Sequence, residues 1–265
     1  MTSRQVSSWQ GVRVSDLRSR WDREEVYVFE SVTSTNDVVR ELADNGALTG
    51  SIVICQEQIE GRGRGGRDWA SPAHAGVYLS MLFRPKGECI EPLVTVLTGV
   101  DIATALAAEF PGLTPSIKWP NDLMVGERKF GGILAEASAA SDGSLVLILG
   151  VGVNVRQAKL PKELTRAAAV DEFVEGVDLI RVADAIVCGL EQRIARLPIL
   201  LDEPALYEFD QLDWLRNRRI CHRLPGAAPV KGVAAGIAPD GALLLRPDHG
   251  PLVRVMTGSV EVLPG

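Results

Sequence analysis

The sequence has few residues of the kinds that hold metals or form disulfides. Its four cysteines include no C-x-x-C pair and its three histidines are equally dispersed, at Cys55, Cys89, Cys188, Cys221, His74, His222 and His249. Structural zinc sites need closely spaced Cys and His ligands, so that class of site is not expected. Scattered cysteines also indicate reduced thiols, which predicts a cytoplasmic protein.

Long hydrophobic runs and an excess of positive charge are also missing. No apolar segment reaches the length that crosses a bilayer, and residues 1–22 are polar with mixed charge, unlike a signal peptide. The formal net charge is −6. This balance argues against general affinity for nucleic acid or anionic membranes, so neither is an expected partner.

The 265 residues, 46% of them hydrophobic, suffice for one large domain with a small one attached. Residues 1–25 are predicted to form an arm, 26–216 the main domain and 217–265 a small all-β barrel. Hydrophobic periodicity predicts an α+β main domain. Its predicted strands are 26–29, 51–55, 77–83, 116–119, 129–136 and 145–154, and its predicted helices are 37–44, 92–110 and 179–197, with one more after Pro204. In the tail, Asp240-Gly241 predicts a hairpin.

Residues 61–69, GRGRGGRDW, combine four glycines with three arginines. Glycine lets a backbone approach a ligand closely, and arginine binds phosphate or carboxylate oxygens. Composition alone leaves open whether this is an anion-binding loop or a solvated linker. The run matches the dinucleotide pattern G-x-G-x-x-G, but a predicted strand follows it instead of a helix, so that class is rejected. A P-loop is rejected because no lysine followed by Ser or Thr closes the run.

Four further clusters place polar or small residues at the ends of predicted strands. They are Ser34-Thr35-Asn36, Lys118-Trp119-Pro120-Asn121-Asp122, Lys129, and Gly150-x-Gly152-x-Asn154. The first three have a structural alternative, which is a helix cap, a hairpin corner and a lysine that extends to solvent, respectively. Together they indicate a cleft for a phosphate-bearing anion, with Trp69 and Tyr78 as an aromatic wall. Because the sequence shows no nucleophile triad and no close carboxylate pair, catalysis would depend on positioning and electrostatic stabilisation.

These motifs, in this order between residues 26 and 265, resemble those of the biotin protein ligases. The resemblance rests on the clusters above together with Tyr78-Leu79-Ser80-Met81 and Lys129-x-x-Gly132-Ile133-Leu134. It implies a mixed β-sheet with flanking helices, the fold that biotin and lipoate ligases share with class II aminoacyl-tRNA synthetases, followed by a C-terminal SH3-like barrel. Lipoate ligases share the Lys-Asn-Asp element but not the arginine–glycine loop or the Trp-Pro pair.

The resemblance also implies an activity. Biotin would be ligated to a lysine of the biotin carboxyl carrier protein, a carboxylase subunit, through biotinyl-5′-AMP made from ATP, with Mg²⁺ screening the phosphates. No metal ligand is assigned to the protein itself. The alternatives are a lipoate or other acyl-protein ligase and a non-catalytic biotin-binding regulator. The stretch before residue 26 is too short for the winged helix of bifunctional members, so DNA binding is not expected, and a homodimer is left open.

Residue roles carry over from the resemblance position by position. The catalytic residues would be Lys129, Arg64 and Arg67. Biotin would be bound by Ser34, Thr35, Asn36, Gln58, Gly61, Arg62, Gly63, Arg64, Trp69, Tyr78, Lys129, Gly132, Gly150 and Gly152. The nucleotide would be bound by Arg64, Arg67, Trp69, Lys118, Asn121 and Asn154.

The chain departs from the family pattern at two glycines. Gly65 stands where many members carry a basic or polar residue, and Gly131 lies where alanine is common. The second change is conservative. The first predicts a mobile loop that is disordered when empty and closed when occupied.

Overall fold

A computed structural model describes residues 4–85, 91–196 and 203–264. Its main feature is a seven-stranded mixed sheet. The strands are β3 (Val26–Val32), β4 (Ile52–Gln58), β5 (Gly76–Phe83), β6 (Pro115–Lys118), β7 (Asp122–Val125), β8 (Arg128–Ala139) and β9 (Leu145–Asn154). Their order is β3-β4-β5-β9-β8-β7-β6, in which β3 and β4 are parallel and all other neighbours are antiparallel. The predicted mixed sheet with flanking helices is confirmed.

Helices cover both faces of this sheet. One face packs against α3 (Glu91–Glu109) and α4 (Leu179–Ala195), which form the larger hydrophobic core. The other face carries α2 (Thr35–Asp44) over a smaller core. Strand β5 is buried along its whole length because it lies between the two layers, and its alternate side chains enter the two cores.

The N-terminal arm is part of the main core. It contains β1 (Ser8–Trp9), β2 (Val12–Arg13) and α1 (Val14–Trp21), and the side chains of Trp9 and Leu17 are fully buried. The Trp9 indole donates to the Cys55 carbonyl at 3.1 Å. Backbone hydrogen bonds at Arg4 and Val6 pair the start of the arm with β3, so the arm covers that edge of the sheet.

The C-terminal unit follows α5 (Glu203–Leu212) and is a five-stranded antiparallel sheet of order β13-β12-β11-β10-β14. Its strands are β10 (Arg219–Arg223), β11 (Val230–Ile237), β12 (Leu243–Pro247), β13 (Val253–Val255) and β14 (Ser259–Val262). The fold agrees with the predicted SH3-like unit, and β11 and β12 form the predicted hairpin through Asp240-Gly241. The buried Trp119 indole donates to the Gly241 carbonyl at 2.8 Å, which joins the unit to the main sheet.

Most element boundaries differ from the sequence expectations by a few residues. Helix α2 begins at Thr35, two residues early, and β3 continues to Val32. The strand predicted to include Trp119 ends at Lys118, one residue before the cis Trp119–Pro120 peptide. Predicted residue 197 lies outside the described residues. In the described part of the chain, no helix combines the length and apolar character needed to span a bilayer.

Candidate active site

A narrow cleft, here called the inner pocket, lies on the α2 face of the sheet and has a volume of about 40 Å³. Cross-strand register places Ser80, Gly150 and Leu134 side by side there on β5, β9 and β8. The pocket is lined by Ser34, Thr35, Asn36, Gln58, Arg62, Gly63, Trp69, Asn121, Lys129, Gly132, Ile133, Leu134, Gly150, Val151 and Gly152. The sheet therefore forms the floor, α2 one wall, and residues 61–69, the arginine–glycine loop, another.

The first turn of α2 contributes polar groups that bond across the pocket. Ser34 occupies the N-cap position but makes no side-chain cap hydrogen bond. Asn36 accepts from Ser80 Oγ at 2.6 Å and donates to Glu136 Oε2 at 2.7 Å. The Thr35 backbone N–H donates to Gln58 Oε1 at 2.9 Å. These side chains serve the pocket instead of satisfying the free N–H groups of the helix, so the helix-cap alternative does not account for them.

Two glycines of β9 let the pocket walls approach the sheet. A Cβ atom added at Gly150 would collide with Asn36 Oδ1, and one added at Gly152 would collide with the Trp69 indole. The Trp69 N–H is buried and has no hydrogen-bond partner among the described residues. It is therefore a donor available to an acceptor in the inner pocket.

The arginine–glycine loop is a compact, hydrogen-bonded turn. The Gly63 N–H donates to the Arg67 carbonyl at 2.7 Å and the Trp69 N–H to the Gly61 carbonyl at 2.8 Å. Gly65 has φ 65°, a left-handed conformation that favours glycine. A residue with a side chain would be strained in this turn, which gives a structural reason for the departure at Gly65.

Lys129 lies where the inner pocket meets a wider cavity. Its Nζ is 2.5 Å from Asp122 Oδ1 and 5.0 Å from the centroid of the Trp69 ring. The second cavity, here called the outer pocket, has a volume of about 310 Å³. It is lined by Gly63, Arg64, Arg67, Asp68, Trp69, Ala70, Asn121, Asp122, Lys129, Asn154, Leu164, Arg166 and Ala167.

Charge separates the two pockets. Four cations and two carboxylates line the outer pocket, whereas Arg62 and Lys129 are the charged groups of the inner one, and both are paired with an aspartate. An excess of positive charge in a protein of net charge −6 is a local feature suited to a polyanion. The two asparagines of the outer pocket are fixed by their amide nitrogens, Asn121 to the Ile133 carbonyl at 3.0 Å and Asn154 to the Ala168 carbonyl at 3.1 Å.

Comparison with known proteins places the chain in a family. The model of the biotin/lipoate A/B protein ligase family matches residues 28–154, and that of the biotin protein ligase C terminal domain matches residues 217–263. A biotin–[acetyl-CoA-carboxylase] ligase of Paracoccus denitrificans is 32% identical over 248 residues, which cover 88% of this chain and 97% of that protein. The chain belongs to the biotin protein ligase family.

Two further relatives agree with this assignment. The bifunctional ligase/repressor BirA of Bacillus subtilis is 32% identical over 242 residues, covering 87% of this ligase and 72% of that protein. The structure of the biotin protein ligase from Aquifex aeolicus in complex with biotin and ATP aligns with a TM-score of 0.78, covering 91% of this chain and 100% of that one. At 23% identity, the structural match shows a shared fold.

The ligase brings most of the sequence-predicted site residues into the two pockets, with three exceptions. Tyr78 is a correction: its side chain is fully buried in the smaller core, and its hydroxyl donates to the Pro72 carbonyl at 3.1 Å, so it does not face the cleft. Gly61 lines neither pocket. It packs against the backbone of the arginine–glycine loop, where a Cβ atom would collide with the Trp69 carbonyl. Lys118 lines neither pocket; its Nζ lies 5.5 Å from the Trp214 ring centroid.

Lys118 nevertheless adds to the positive field of the outer pocket. Burial lowers the pKa of Lys118; Asp122 opposes this shift, and the nearby cations Lys129, Arg166 and Arg67 add to it. Because its positive charge is disfavoured by burial and by these neighbouring cations, the protonated form of Lys118 is strongly stabilised by an anion that binds between them.

Sequence reasoning did not identify five residues that line or support the site. Asp122 and Ser80 lie inside predicted motifs that assigned them no role, and no motif includes the other three, which are Asp37, Glu136 and Arg166. Asp37 lies 25 residues from its partner Arg62, and Glu136 lies 100 residues from Asn36. Pairs so distant in sequence leave no local pattern, although Asp37 directly follows the Ser-Thr-Asn motif and was within reach of motif analysis.

Proposed function

We propose that this ligase joins biotin to a lysine of the biotin carboxyl carrier protein in two steps, with biotinyl-5′-AMP as the intermediate. The observation that carries the proposal is the continuity of the two pockets. They share Gly63, Trp69, Asn121 and Lys129, so a ligand in one can react with a ligand in the other.

The inner pocket suits the uncharged part of biotin. Its floor is lined by Leu134, Gly150 and Gly152, and its walls offer hydroxyl and amide groups in a fixed network. A ureido ring both donates and accepts hydrogen bonds, which matches such a wall. The Trp69 N–H, which has no partner among the described residues, supplies one more donor. Biotin's carboxylate would then point towards Lys129.

The outer pocket suits ATP. Arg64, Arg67 and Arg166 surround the phosphates in this proposal, and Leu164 with Ala167 provides apolar surface for the base. A carboxylate oxygen of biotin attacks the α-phosphorus, a new O–P bond forms, and the bond to the β-phosphate breaks to release pyrophosphate. Lys129, at the junction, stabilises the negative charge shared between the carboxylate and the α-phosphate.

Magnesium fits the outer pocket as an ion that is coordinated mainly by the phosphates of ATP. No group of three or more acidic, histidine or cysteine side chains able to hold a metal occurs among the described residues. The Asn121 and Asn154 amides use their nitrogens in hydrogen bonds to the backbone, which leaves oxygen atoms of the type that Mg²⁺ prefers. When bound, the ion neutralises phosphate charge; the protein's part is to orient the two asparagines.

In the second step, the carrier lysine attacks the acyl carbon of biotinyl-5′-AMP. A C–N bond forms, the C–O bond to the phosphate breaks, AMP leaves, and the amine loses a proton. The arginine–glycine loop covers the adenylate during the interval between the steps and keeps water away from the anhydride.

Incubation of the protein with biotin, ATP, Mg²⁺ and an apo carrier domain tests the proposal, with mass spectrometry of the carrier as the readout. A carrier heavier by one biotinyl group is expected. An unmodified carrier would overturn the proposal. Lipoate in place of biotin is the matched comparison, and modification by lipoate alone would identify an acyl-protein ligase of different specificity. Pyrophosphate release without modification of the carrier would support the adenylation step and contradict the ligation step.

A further inference from the structure

An ion pair ties the arginine–glycine loop to α2. Arg62 donates from both terminal nitrogens to Asp37, at 2.8 Å to Oδ2 and 2.5 Å to Oδ1. Paired donors facing paired acceptors fix both the distance and the orientation of a guanidinium group. The hydrogen bond from Arg62 is the main reason that the pKa of Asp37 lies below its ordinary value, so the carboxylate stays charged through the neutral range.

The same carboxylate belongs to a chain of contacts that reaches the inner pocket. Arg40 donates to Asp37 Oδ1 at 3.0 Å and to Glu136 Oε2 at 2.9 Å. Glu136 Oε2 also accepts from Asn36 at 2.7 Å. The position of Arg62 is therefore coupled to an amide that lines the pocket.

The other end of the loop is held from the opposite side. Ser71 Oγ donates to the Trp69 carbonyl at 3.2 Å and accepts from Gln58 Nε2 at 2.8 Å. Gln58 in turn bonds to Thr35. Both ends of the loop are thus anchored to the first turn of α2, one through an ion pair and the other through neutral hydrogen bonds.

The charges of the first anchor balance. Arg40 and Arg62 face Asp37 and Glu136, so the Arg62 charge is already neutralised by the protein. We propose that Asp37 is a positioning residue that holds the arginine–glycine loop over the inner pocket through Arg62, and thereby sets how long biotin and its adenylate stay bound. The second half of this statement rests on the proposed function.

Trypsin offers a test that needs no activity, because the loop carries its own cleavage sites at Arg62, Arg64 and Arg67. With the ligand-free protein, Asp37→Ala should raise the rate of cleavage within residues 62–68 about 10-fold. Asp37→Asn should give a smaller rise and Asp37→Glu should restore slow cleavage. Glu41→Gln, on the same helix and exposed, is the matched control and should cleave like the wild type.

Dissociation of labelled biotinyl-5′-AMP is the second readout. Asp37→Ala should release it about 10-fold faster, in line with the loss of a charged hydrogen bond, while its melting curve shows that the variant is still folded. Wild-type cleavage and release rates in Asp37→Ala would overturn the inference. If the wild type makes or binds no adenylate, the proposed function fails, while the trypsin rates still decide whether Asp37 holds the loop.

Discussion

The inner pocket is narrow and its polar groups bond to one another, whereas the outer pocket is wide and two of its arginines are exposed. The first has the sheet as its floor and α2 as one wall, both fixed by two cores, and the arginine–glycine loop as another wall. The second is built largely from two loops. The contrast indicates that shape and hydrogen bonding select the ligand of the inner pocket, while charge holds the ligand of the outer one. Substitutions in one pocket should therefore change the binding of its own ligand more than the binding of the other ligand.

The largest effect is expected at their junction. Lys129→Ala should slow adenylate formation about 10³-fold, because the charge that forms between the two substrates loses its partner. Single-turnover pyrophosphate release measures this rate. Lys162→Gln is the control, because it removes a positive charge from an exposed residue on the loop beside the outer pocket. Near wild-type turnover of Lys129→Ala, with its fold intact, would refute the role of Lys129.

A methyl group in the inner pocket should separate the ligands. Gly150→Ala places a Cβ atom against Asn36 Oδ1, within the hydrogen-bond network. We expect biotin affinity to fall about 100-fold while ATP affinity changes less than about 2-fold, since overpacking a rigid site costs about 1–3 kcal/mol. Calorimetry with each ligand checks this. Equal losses for both ligands would show that the pockets are not independent.

A charge removed from the outer pocket should have the opposite pattern. Arg64→Gly should speed the dissociation of biotinyl-5′-AMP about 10-fold, in line with the loss of one charged hydrogen bond. Biotin alone should bind as before, because Arg64 lines the outer pocket and not the inner one, which departs from the biotin contact that the resemblance implies for it. Stopped-flow release of the adenylate is the measurement, and unchanged retention of the intermediate would argue against a phosphate contact at Arg64.

The smallest effect is a pH dependence confined to the outer pocket. The pKa of Lys118 is lowered by burial, so the side chain loses its proton at a lower pH than an ordinary lysine. ATP favours the protonated form, and its affinity should fall a few-fold as pH rises through that lowered pKa. Biotin affinity should not follow. Lys118→Arg, which keeps its charge, should flatten the ATP profile; a steep profile in this variant would assign the effect to another group.

Much of the fold was predictable because it depends on local patterns. Apolar runs marked β5 and β9, and the strand after residues 61–69 excluded a dinucleotide fold. Motif spacing also identified both glycines of β9. The prediction that Tyr78 lines the cleft was wrong because of tertiary packing. Tyr78 lies on the face of the sheet that carries the site, but the segment that contains Pro72, after the arginine–glycine loop, covers its side chain.

Long-range pairing was out of reach of the sequence. In the sequence, Glu136 is not distinguished from other polar residues of predicted strands. Its hydrogen bonds from Asn36 and Arg40 form only when α2 packs on the sheet. The expectation of a loop that is disordered when empty stays a prediction. The Arg62–Asp37 pair argues against it, and the glycine at position 65 is explained by its backbone angle.

The proposed function requires that two substrates meet at Lys129 across connected pockets. It is tested most directly by the burst of pyrophosphate when ATP and Mg²⁺ are mixed with the protein in the presence and absence of biotin. We expect a biotin-dependent burst of about one pyrophosphate per protein, with the adenylate retained, because a covered intermediate blocks a second turnover. Pyrophosphate release that does not require biotin, or no release at all, would contradict it.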